Sequence, residues 1–320
     1  MVGKLDPDDL ADFVLSRTGA ADDAVEMGPK YGEDAAAIRF GDHLLVVSSD
    51  PLSLARERLG TLAVHVACND VAASGADPRW LTNTMFLPSE DPETLDVLTE
   101  QIDAEAKSLG VAIVGGHSEY VPALERPMVS MTALGAADEY VPTGGVEPGD
   151  RILLTKGAGI EGTAILATDF REELTLPTDT IDSAEDFFGE ISVVPDARVL
   201  REFATAMHDP TEGGVLAGAV EMAVASGVRI DVARDDVPIR SETAALCDAV
   251  DVDPLRIFGS GALLAAVPEN AADDALGALD AEGIPASEIG VAVETDDPGV
   301  ALDGEVVRGE VRDDLYALWE

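Results

Sequence analysis

The sequence predicts an α+β protein of two domains. At 320 residues the chain is long enough for two cores of ordinary size. Its apolar segments of strand length are joined by tight turns in some places and by helical segments in others, which is typical of the α+β class. The strongest break is Gly144–Asp150, after which a new apolar strand begins. We therefore predict an N-terminal domain of residues 1–147 and a C-terminal domain of residues 148–320.

The elements of the N-terminal domain follow from hydrophobic period and from turn residues. Gly41 and Asp42 separate two apolar segments as a hairpin turn would. Residues 91–109 carry one apolar stripe at helical spacing, and Gly110 is typical of a helix end. In chain order we predict helix 5–15, a hairpin of strands 34–40 and 43–50, helix 59–73, strand 80–87, helix 91–109, and strands 111–114 and 128–136.

The C-terminal domain mixes shorter segments of both kinds. Residues 172–192 are acidic and poorly periodic, and we predict a loop there with a short helical piece. The other predicted elements are strand 151–155, helices 196–207 and 214–225, strand 229–232, helix 241–249, strand 261–267 and helix 271–279, followed by short strands.

The net charge is the most unusual property of the composition. Sixty-three acidic residues oppose 20 basic ones, which gives a formal net charge of −43. The acids are spread along the chain and the apolar pattern persists between them, so an acidic disordered region is excluded. We infer an adaptation to high intracellular salt, where screening makes such self-repulsion tolerable. The same charge argues against nucleic acid as a partner.

The remaining composition indicates a cytoplasmic protein. No apolar run approaches the ~18 residues of a membrane span, and the acidic N-terminus lacks an apolar signal core. Cys68 and Cys247 are the only cysteines. Two thiols make neither a disulfide framework nor a cysteine-based zinc site, which fits a reducing compartment.

Four carboxylates of the N-terminal domain share a context. Asp34, Asp50 and Glu119 lie at strand ends, and Asp70 lies inside a helix of small and apolar residues. Strand ends meet at one edge of a sheet, and carboxylates that meet there repel unless a hard cation such as Mg²⁺ lies between them. For any one of these acids alone a solvated surface position is the commoner outcome. Asp70 is the best candidate for burial, because its neighbours are apolar.

Three glycine-containing segments are candidates for phosphate contact. Val114–Glu119 is compatible with a polar turn, a phosphate cradle or part of a metal site. Asp209–Gly214 opens a predicted helix, where Thr211 can serve as the cap and the helix N-terminus attracts phosphate; a capping turn without ligand is an equally good interpretation. Lys156 precedes two glycines and is compatible with phosphate neutralisation or with a surface turn. None of these segments has the GxxxxGK[ST] pattern of P-loop enzymes.

Taken together, these segments resemble the superfamily of aminoimidazole ribonucleotide (AIR) synthase-like, ATP-using enzymes. The resemblance runs from Gly32 to Val267 and its carriers occur in the expected order. They are Gly32-Glu33-Asp34-Ala35-Ala36, Ser49-Asp50-Pro51, Val66–Asp70 with Ser74–Pro78, Gly115–Glu119, Asp209–Gly214 and Asp253-Pro254-Leu255.

The resemblance implies a PurM-like fold with an N-terminal mixed or antiparallel sheet domain that forms a homodimer, and a C-terminal α+β domain. It also implies ATP and Mg²⁺ in the cleft between the domains, with a small-molecule substrate. Carried onto matching positions, Asp34, Asp50 and Asp70 are metal ligands, Gly115–Glu119 approaches the phosphates or the metal, and Asp209 with Thr211 lies across the cleft. Combined with the residue patterns above, this gives the predicted site: Asp34, Asp50, Asp70 and, in second rank, Glu119 for the metal; Gly115, Gly116, Ser118, Lys156, Thr211, Gly213 and Gly214 for the nucleotide; and Asp70, His117 and Asp209 for catalysis.

Among the branches of the superfamily, the hydrogenase-maturation HypE branch is the most similar. Its usual phrase is Asp-Pro-Thr-Arg-Gly-Gly, where this chain has Glu212 in place of the arginine. HypE proteins end in a cysteine that carries the carbamoyl group, whereas this sequence ends in Trp319-Glu320. Thiamine-monophosphate kinases usually show Gly-Gly-Asp where this chain has His117. We therefore expect a HypE-like enzyme that activates or phosphorylates an oxygen of an unassigned small substrate. The alternatives are a thiamine-monophosphate kinase-like phosphotransferase and a non-catalytic, nucleotide-binding maturation or assembly factor.

Overall fold

A computed structural model describes residues 3–319, which fold around two β-sheets. The first sheet is mixed, with strand order β1-β2-β3-β6-β4-β5, and only β4 and β5 are parallel neighbours. The helices and strands of this N-terminal half are α1 (Pro7–Asp9), β1 (Val25–Met27), β2 (Ala36–Phe40), β3 (His43–Leu52), α2 (Leu59–Ala73), β4 (Asp77–Leu87), α3 (Pro92–Leu109), β5 (Ala112–Tyr120) and β6 (Met128–Ala137).

The second sheet has strand order β13-β12-β9-β11-β7-β10-β8, with β9 and β12 as its parallel pair. The elements of this part are β7 (Arg151–Thr155), α4 (Ile160–Asp169), α5 (Thr178–Glu185), α6 (Val194–Leu200), β8 (Ala206–His208), α7 (Gly214–Ser226), β9 (Arg229–Val232), α8 (Ser241–Val250), β10 (Leu264–Val267), α9 (Ala272–Ala281), β11 (Ala286–Val293), β12 (Gly299–Leu302) and β13 (Glu305–Val307).

Helix α2 connects the two halves of the molecule. Every residue of α2 is buried, because β3, β6 and α3 cover it from one side and α6 of the C-terminal half covers it from the other. Its small side chains allow this close approach from all directions. Asn69 on α2 donates a hydrogen bond to the carbonyl of Ile191 and accepts one from the amide of Val193, each at 2.9 Å. The main hydrophobic core accordingly contains residues of both halves.

Several predicted elements are confirmed with small changes of boundary. The hairpin 34–50 is β2 and β3, helix 59–73 is α2, and helix 91–109 is α3. The first predicted helix, 5–15, is less regular: α1 continues into a π-helical turn at Leu10–Leu15, with Phe13 exposed. Within residues 3–319, no helix has the length and apolar character needed to cross a bilayer.

The predictions for the C-terminal half were incomplete or wrong in three places. Residues 172–192 contain the predicted short helical piece but less loop than expected, since α5 and a 3₁₀ turn at Asp186–Glu190 pack Ile181, Ala184 and Phe188 into the core at helical spacing. Helix α4, at Ile160–Asp169, is not predicted by the sequence patterns. The predicted helix 196–207 ends early, because Ala206–His208 pair with β10 as strand β8.

The segment 115–119 was also predicted incorrectly. Instead of a loop after a short strand, it is the continuation of β5, paired with β4 as far as Leu87 and Tyr120. A Cβ atom at Gly116 would lie 2.3 Å from the carbonyl oxygen of Asn83, so glycine is required there for close packing of the two strands. The glycine that we had assigned to phosphate contact thus has a role within the sheet.

Candidate metal and nucleotide site

Four carboxylates from four elements meet where the two halves of the molecule join. Asp34 precedes β2, Asp50 lies on β3, Asp70 on α2, and Asp209 follows β8. Ser48 links two of them, since its hydroxyl lies 2.6 Å from Oδ2 of Asp70 and 3.3 Å from Oδ2 of Asp50. The amide of Asp209 lies 3.5 Å from Oδ2 of Asp34. The structure therefore brings together three of the predicted metal ligands and one predicted catalytic residue.

Asp70 has the least favourable surroundings for a negative charge. Burial raises its pKa well above the usual range, and the charges of Asp50, Asp34 and Asp209 raise it further. A carboxylate in this position stays neutral or needs a cation, because desolvation and like charges both oppose its ionised form.

Asp209 is buried, and its side chain makes no hydrogen bond of good geometry. Only 1% of the residue is exposed, and neither carboxylate oxygen has a well-formed donor among the described residues, although the side-chain amide of Asn69 lies close enough to lower the pKa of the group. Burial, and next the charge of Asp34, raise the pKa of this group well above its ordinary value. Buried polar atoms without partners are rare in folded proteins, and they often mark the position of a ligand.

His208 is the polar contact between Asp34 and the C-terminal half. Its Nδ1 lies 2.8 and 2.9 Å from the two carboxylate oxygens of Asp34, and its Nε2 lies 2.9 Å from Oε2 of Glu221. Burial alone would lower the pKa of His208, but the carboxylates of Asp34 and Glu221 outweigh this effect and raise it to about 10. The imidazole is therefore a cation at neutral pH, and both of its nitrogens donate.

The N-terminal segment closes this arrangement. Lys4 Nζ lies 3.4 Å from Oε1 of Glu221, on the side opposite His208. A cleft of about 300 Å³ opens beside these residues, between the N-terminal segment, the turn before β2, the start of α7 and residues 309–316. The cleft places solvent-accessible space next to Asp34 and His208.

The start of helix α7 already holds a carboxylate. Gly213 precedes the helix with φ 77°, and its amide donates a hydrogen bond of 2.8 Å to Oδ2 of Asp313. Burial raises the pKa of Asp313 to about 8, although two backbone donors partly offset the effect. Thr211 makes no side-chain cap, contrary to our expectation. Gly214 is needed for packing, since a Cβ there would lie 2.4 Å from the carbonyl oxygen of Ile257.

Lys156 lies in a buried pair and not at the cleft. Its ammonium group lies 2.7 Å from the carbonyl of Ser192, 3.2 Å from that of Glu190 and 3.2 Å from Oδ2 of Asp196. These three acceptors account for its three N–H donors. The structure therefore gives this lysine a role in fastening the segment before α6, and the predicted phosphate contact has no donor left.

The β5 residues lie away from the carboxylate group of their own chain. Asp50 is paired with Met131 on β6, Met131 with Asn83 on β4, and Asn83 with Gly116 on β5. Three strand spacings separate Asp50 from Gly116, which is about 14 Å. His117 and Glu119 are exposed, and Nε2 of His117 lies 3.6 Å from Oε2 of Glu119. Glu119 does not join Asp34, Asp50 and Asp70 within one subunit.

Two family models match the chain, one to each half. The N-terminal domain of AIR synthase related proteins matches residues 32–137, and the C-terminal domain of the same proteins matches residues 147–303. Carbamoyl dehydratase HypE of Escherichia coli (strain K12) is 31% identical over 264 residues, which are 80% of this chain and 76% of that protein. This chain belongs to the AIR synthase related family.

Solved structures agree with this AIR synthase related assignment. The crystal structure of E. coli HypE, a hydrogenase maturation protein, has a TM-score of 0.71 and 28% identity, over 83% of this chain and 85% of that one. AaThiL complexed with AMPPCP and TMP has a TM-score of 0.73 over 87% and 90% of the two chains; at 21% identity it shows the fold alone. The predicted two-domain, PurM-like α+β fold is confirmed, and the comparisons support a HypE-like, ATP-dependent enzyme without assigning its substrate.

The carboxylate group of this AIR synthase related protein fits a nucleotide-bound cation. Among residues 3–319, no three His, Cys, Asp or Glu side chains already form a closed metal cage. Mg²⁺ that binds with a nucleotide needs only one or two protein carboxylates, because phosphates and water complete its coordination. The unpartnered oxygens of Asp209 and the charge-disfavouring surroundings of Asp70 fit such a cation.

The sequence patterns do not mark His208, Ser48, Glu221 or Lys4 as site residues. His208 carried a usable signal, since it directly precedes Asp209 at the end of an apolar stretch, where a buried polar side chain needs partners. The link from Glu221 to Lys4 joins residues 217 positions apart. Such a contact depends on the tertiary fold, and nothing in the local sequence indicates it.

Proposed function

We propose that this protein is a Mg²⁺-ATP-dependent enzyme of the HypE type, which activates or phosphorylates an oxygen of a small substrate. The observation that carries the proposal is Asp209, a residue that is 1% exposed, whose carboxylate oxygens accept no well-formed hydrogen bond and whose backbone amide lies 3.5 Å from the carboxylate of Asp34. Of the four carboxylates at the domain junction, Asp34 is paired with His208, whereas burial and neighbouring negative charges disfavour the ionised forms of Asp70 and Asp209. A divalent cation and its nucleotide supply the missing charge and ligands.

In this proposal Asp34, Asp50 and Asp70 hold Mg²⁺, and Asp209 approaches it from the C-terminal half. The cation supplies charge neutralisation for phosphate oxygens when it is bound. Ser48 holds Asp70 and Asp50 in fixed positions through its hydroxyl. The nucleotide enters from the cleft beside Thr211, where the backbone between Asp209 and Gly214 remains the candidate contact.

We further propose that the functional unit is a homodimer. Strand β5 is at the edge of its sheet and all nine of its residues are exposed, including Val114 and Tyr120. An exposed, apolar sheet edge is a ready template for pairing with another chain. A dimer formed there brings Gly115, Gly116, His117, Ser118 and Glu119 of one subunit to the other, where their predicted roles in phosphate and metal binding apply.

Isothermal titration with Mg²⁺-ATP in molar KCl, together with ADP release, tests the proposal. We expect wild-type binding, and for Asp70→Asn a loss of at least about tenfold in affinity, since the cation loses a charged ligand. Asp209→Asn is expected to lose turnover while its thermal midpoint rises, because the substitution removes a buried carboxyl group whose ionisation is opposed by burial and by Asp34. Asp248→Asn, at an exposed position of α8, is the matched control.

Absence of Mg²⁺-ATP binding by the wild-type protein would overturn the proposal. Binding without ADP release in the presence of any small acceptor would favour the non-catalytic assembly factor instead. Equal affinity in Asp70→Asn and Asp248→Asn would remove Asp70 from the site.

A further inference from the structure

His208 is held on both sides by carboxylates that come from different parts of the fold. Asp34 belongs to the N-terminal half and Glu221 to helix α7, and both lie within 2.9 Å of an imidazole nitrogen. The side chain of His208 is 4% exposed, so water does not compete for these contacts. This geometry fixes the ring against rotation, because each nitrogen has its own acceptor.

The carboxylate of Asp34 has no comparably close donor besides His208. Among the described residues, the other group near it is the amide of Asp209, at the longer distance of 3.5 Å. Carboxylates that bind cations are oriented by hydrogen bonds from residues behind them, and these residues affect affinity without touching the metal. His208 makes such a contact from the side of α7 and Glu221: its Nδ1 lies 2.8 and 2.9 Å from the two oxygens of Asp34, so that one N–H is shared between them and each oxygen keeps a lone pair for a cation.

We propose that His208 is a positioning residue, which uses its Nδ1–H to hold the carboxylate of Asp34 in the orientation that a divalent cation requires. Glu221, itself paired with Lys4, sets the orientation of the ring through Nε2. The inference rests on the proposed function, because the ligand concerned is Mg²⁺ in the same site. Nδ1 affects cation binding directly, because it holds Asp34. Nε2 affects it only indirectly, because its contact with Glu221 orients the ring.

A pair of conservative substitutions separates the two nitrogens. The side-chain amide of asparagine can occupy the place of Nδ1, so His208→Asn retains a donor to Asp34 and loses the one to Glu221. The amide of glutamine reaches the place of Nε2, so His208→Gln retains the donor to Glu221 and loses the one to Asp34. Both variants lose the ring, and they therefore share its contribution to packing.

The measurement is Mn²⁺ binding to the full chain, followed by electron paramagnetic resonance with AMPPCP present in molar KCl. We expect His208→Gln to bind Mn²⁺ about 10- to 100-fold more weakly than wild type, in the range found for residues that orient metal ligands. His208→Asn is expected to stay within about threefold of wild type. Thermal unfolding midpoints of both variants show whether affinity merely follows stability.

Equal Mn²⁺ affinity of the two variants, or affinities that follow their midpoints, would overturn the inference and leave the proposed function intact. Failure of the wild type to bind Mn²⁺ with AMPPCP would overturn both. If neither variant folds, ¹⁵N NMR spectra of the histidines in the wild-type protein test the same inference. Mg²⁺-AMPPCP is then expected to shift the Nδ1 resonance of His208 and not those of His65, and an unchanged His208 signal would contradict the inference.

Discussion

Lys156 and Asp196 form a buried ion pair of 3.2 Å inside the C-terminal domain. The ammonium group of Lys156 also binds two carbonyls of the segment that leads into α6. The same segment is held from the other side by Asn69 of α2. The lysine thus fastens the part of the C-terminal domain that contacts the N-terminal domain.

Replacement of Lys156 by methionine tests this structural role. Lys156→Met leaves Asp196 as an unpaired buried charge, and we expect the free energy of unfolding to fall by about 3–5 kcal/mol. The affinity for Mg²⁺-ATP is expected to remain unchanged once folding is secured by salt. Denaturant unfolding and isothermal titration measure the two quantities.

Lys107→Met is the control for that experiment. Lys107 pairs with Asp103 one helical turn away on the exposed side of α3, and such pairs contribute about 0.3–0.5 kcal/mol. If Lys156→Met keeps its stability and loses affinity for ATP, Lys156 contacts phosphate, as the sequence suggested, and does not have the structural role.

Glu161 makes the stability of the protein depend on pH. Burial raises the pKa of this group to about 7, and Ser260 offsets the effect only partly. A carboxyl whose pKa is higher in the folded state stabilises fully below its unfolded value of 4.5 and loses this contribution as the pH rises through 7. We expect the free energy of unfolding to fall between pH 5 and pH 8, by about 2–3 kcal/mol from this residue.

Glu161→Gln should remove that part of the pH dependence. Urea denaturation in molar KCl at pH 5 and at pH 8 measures the change in unfolding free energy. Glu100→Gln, at an exposed position of α3, is the control. A pH dependence of equal size in Glu161→Gln and Glu100→Gln would assign the effect to other groups.

Val114 tests the proposed dimer. The residue is 58% exposed on the edge strand β5. Val114→Asp places a charge in an apolar contact, so we expect the mass measured by light scattering to fall from that of two chains to that of one. Val97→Asp, at a similarly exposed valine of α3, should leave the mass unchanged. A wild-type protein with the mass of one chain would contradict the dimer directly.

The net charge of −43 predicts a requirement for salt. At 0.1 M salt the screening length is about 10 Å, which leaves neighbouring surface carboxylates in repulsion, whereas at 1 M it is about 3 Å. We expect far-UV circular dichroism to show unfolding on dilution from molar KCl to about 0.1 M, and refolding when KCl is restored. If the full circular dichroism signal is retained at low salt, the acidic composition does not make the fold depend on salt, and the prediction is wrong.

Predictions from the sequence succeeded where a local pattern carried the information. Helix α3 has an apolar stripe and a glycine at its end, and Asp70 stands out as an acid among buried residues. Asp34, Asp50 and Asp70 lie near one another because β2, β3 and α2, which follow or contain them, meet at the domain junction; their role as metal ligands stays a prediction. The sequence predicted a short helical piece within 172–192 but not its extent over 178–190, because acidic residues separate Ile181, Ala184 and Phe188.

The remaining features depend on contacts between distant residues. In the sequence, the glycines beside Lys156 suggest a phosphate ligand. The fold surrounds its ammonium group with Asp196 and two backbone carbonyls, which no local pattern indicates. Gly116 reads as part of a loop, and its requirement comes from the carbonyl of Asn83 on the neighbouring strand. His208 acquires its role from Asp34, which is 174 residues away in the chain.

The consecutive residues Asn69 and Asp70 give helix α2 two tasks within a single peptide unit. Asn69 holds the C-terminal half through Ile191 and Val193, and Asp70 faces the other carboxylates. A rotation of the two halves against each other therefore changes the distance between Asp70, on α2, and Asp209, which follows β8 in the C-terminal half. The spacing of the charges around the domain junction is in this way a direct measure of the angle between the domains, and any ligand that pulls those charges together also selects that angle.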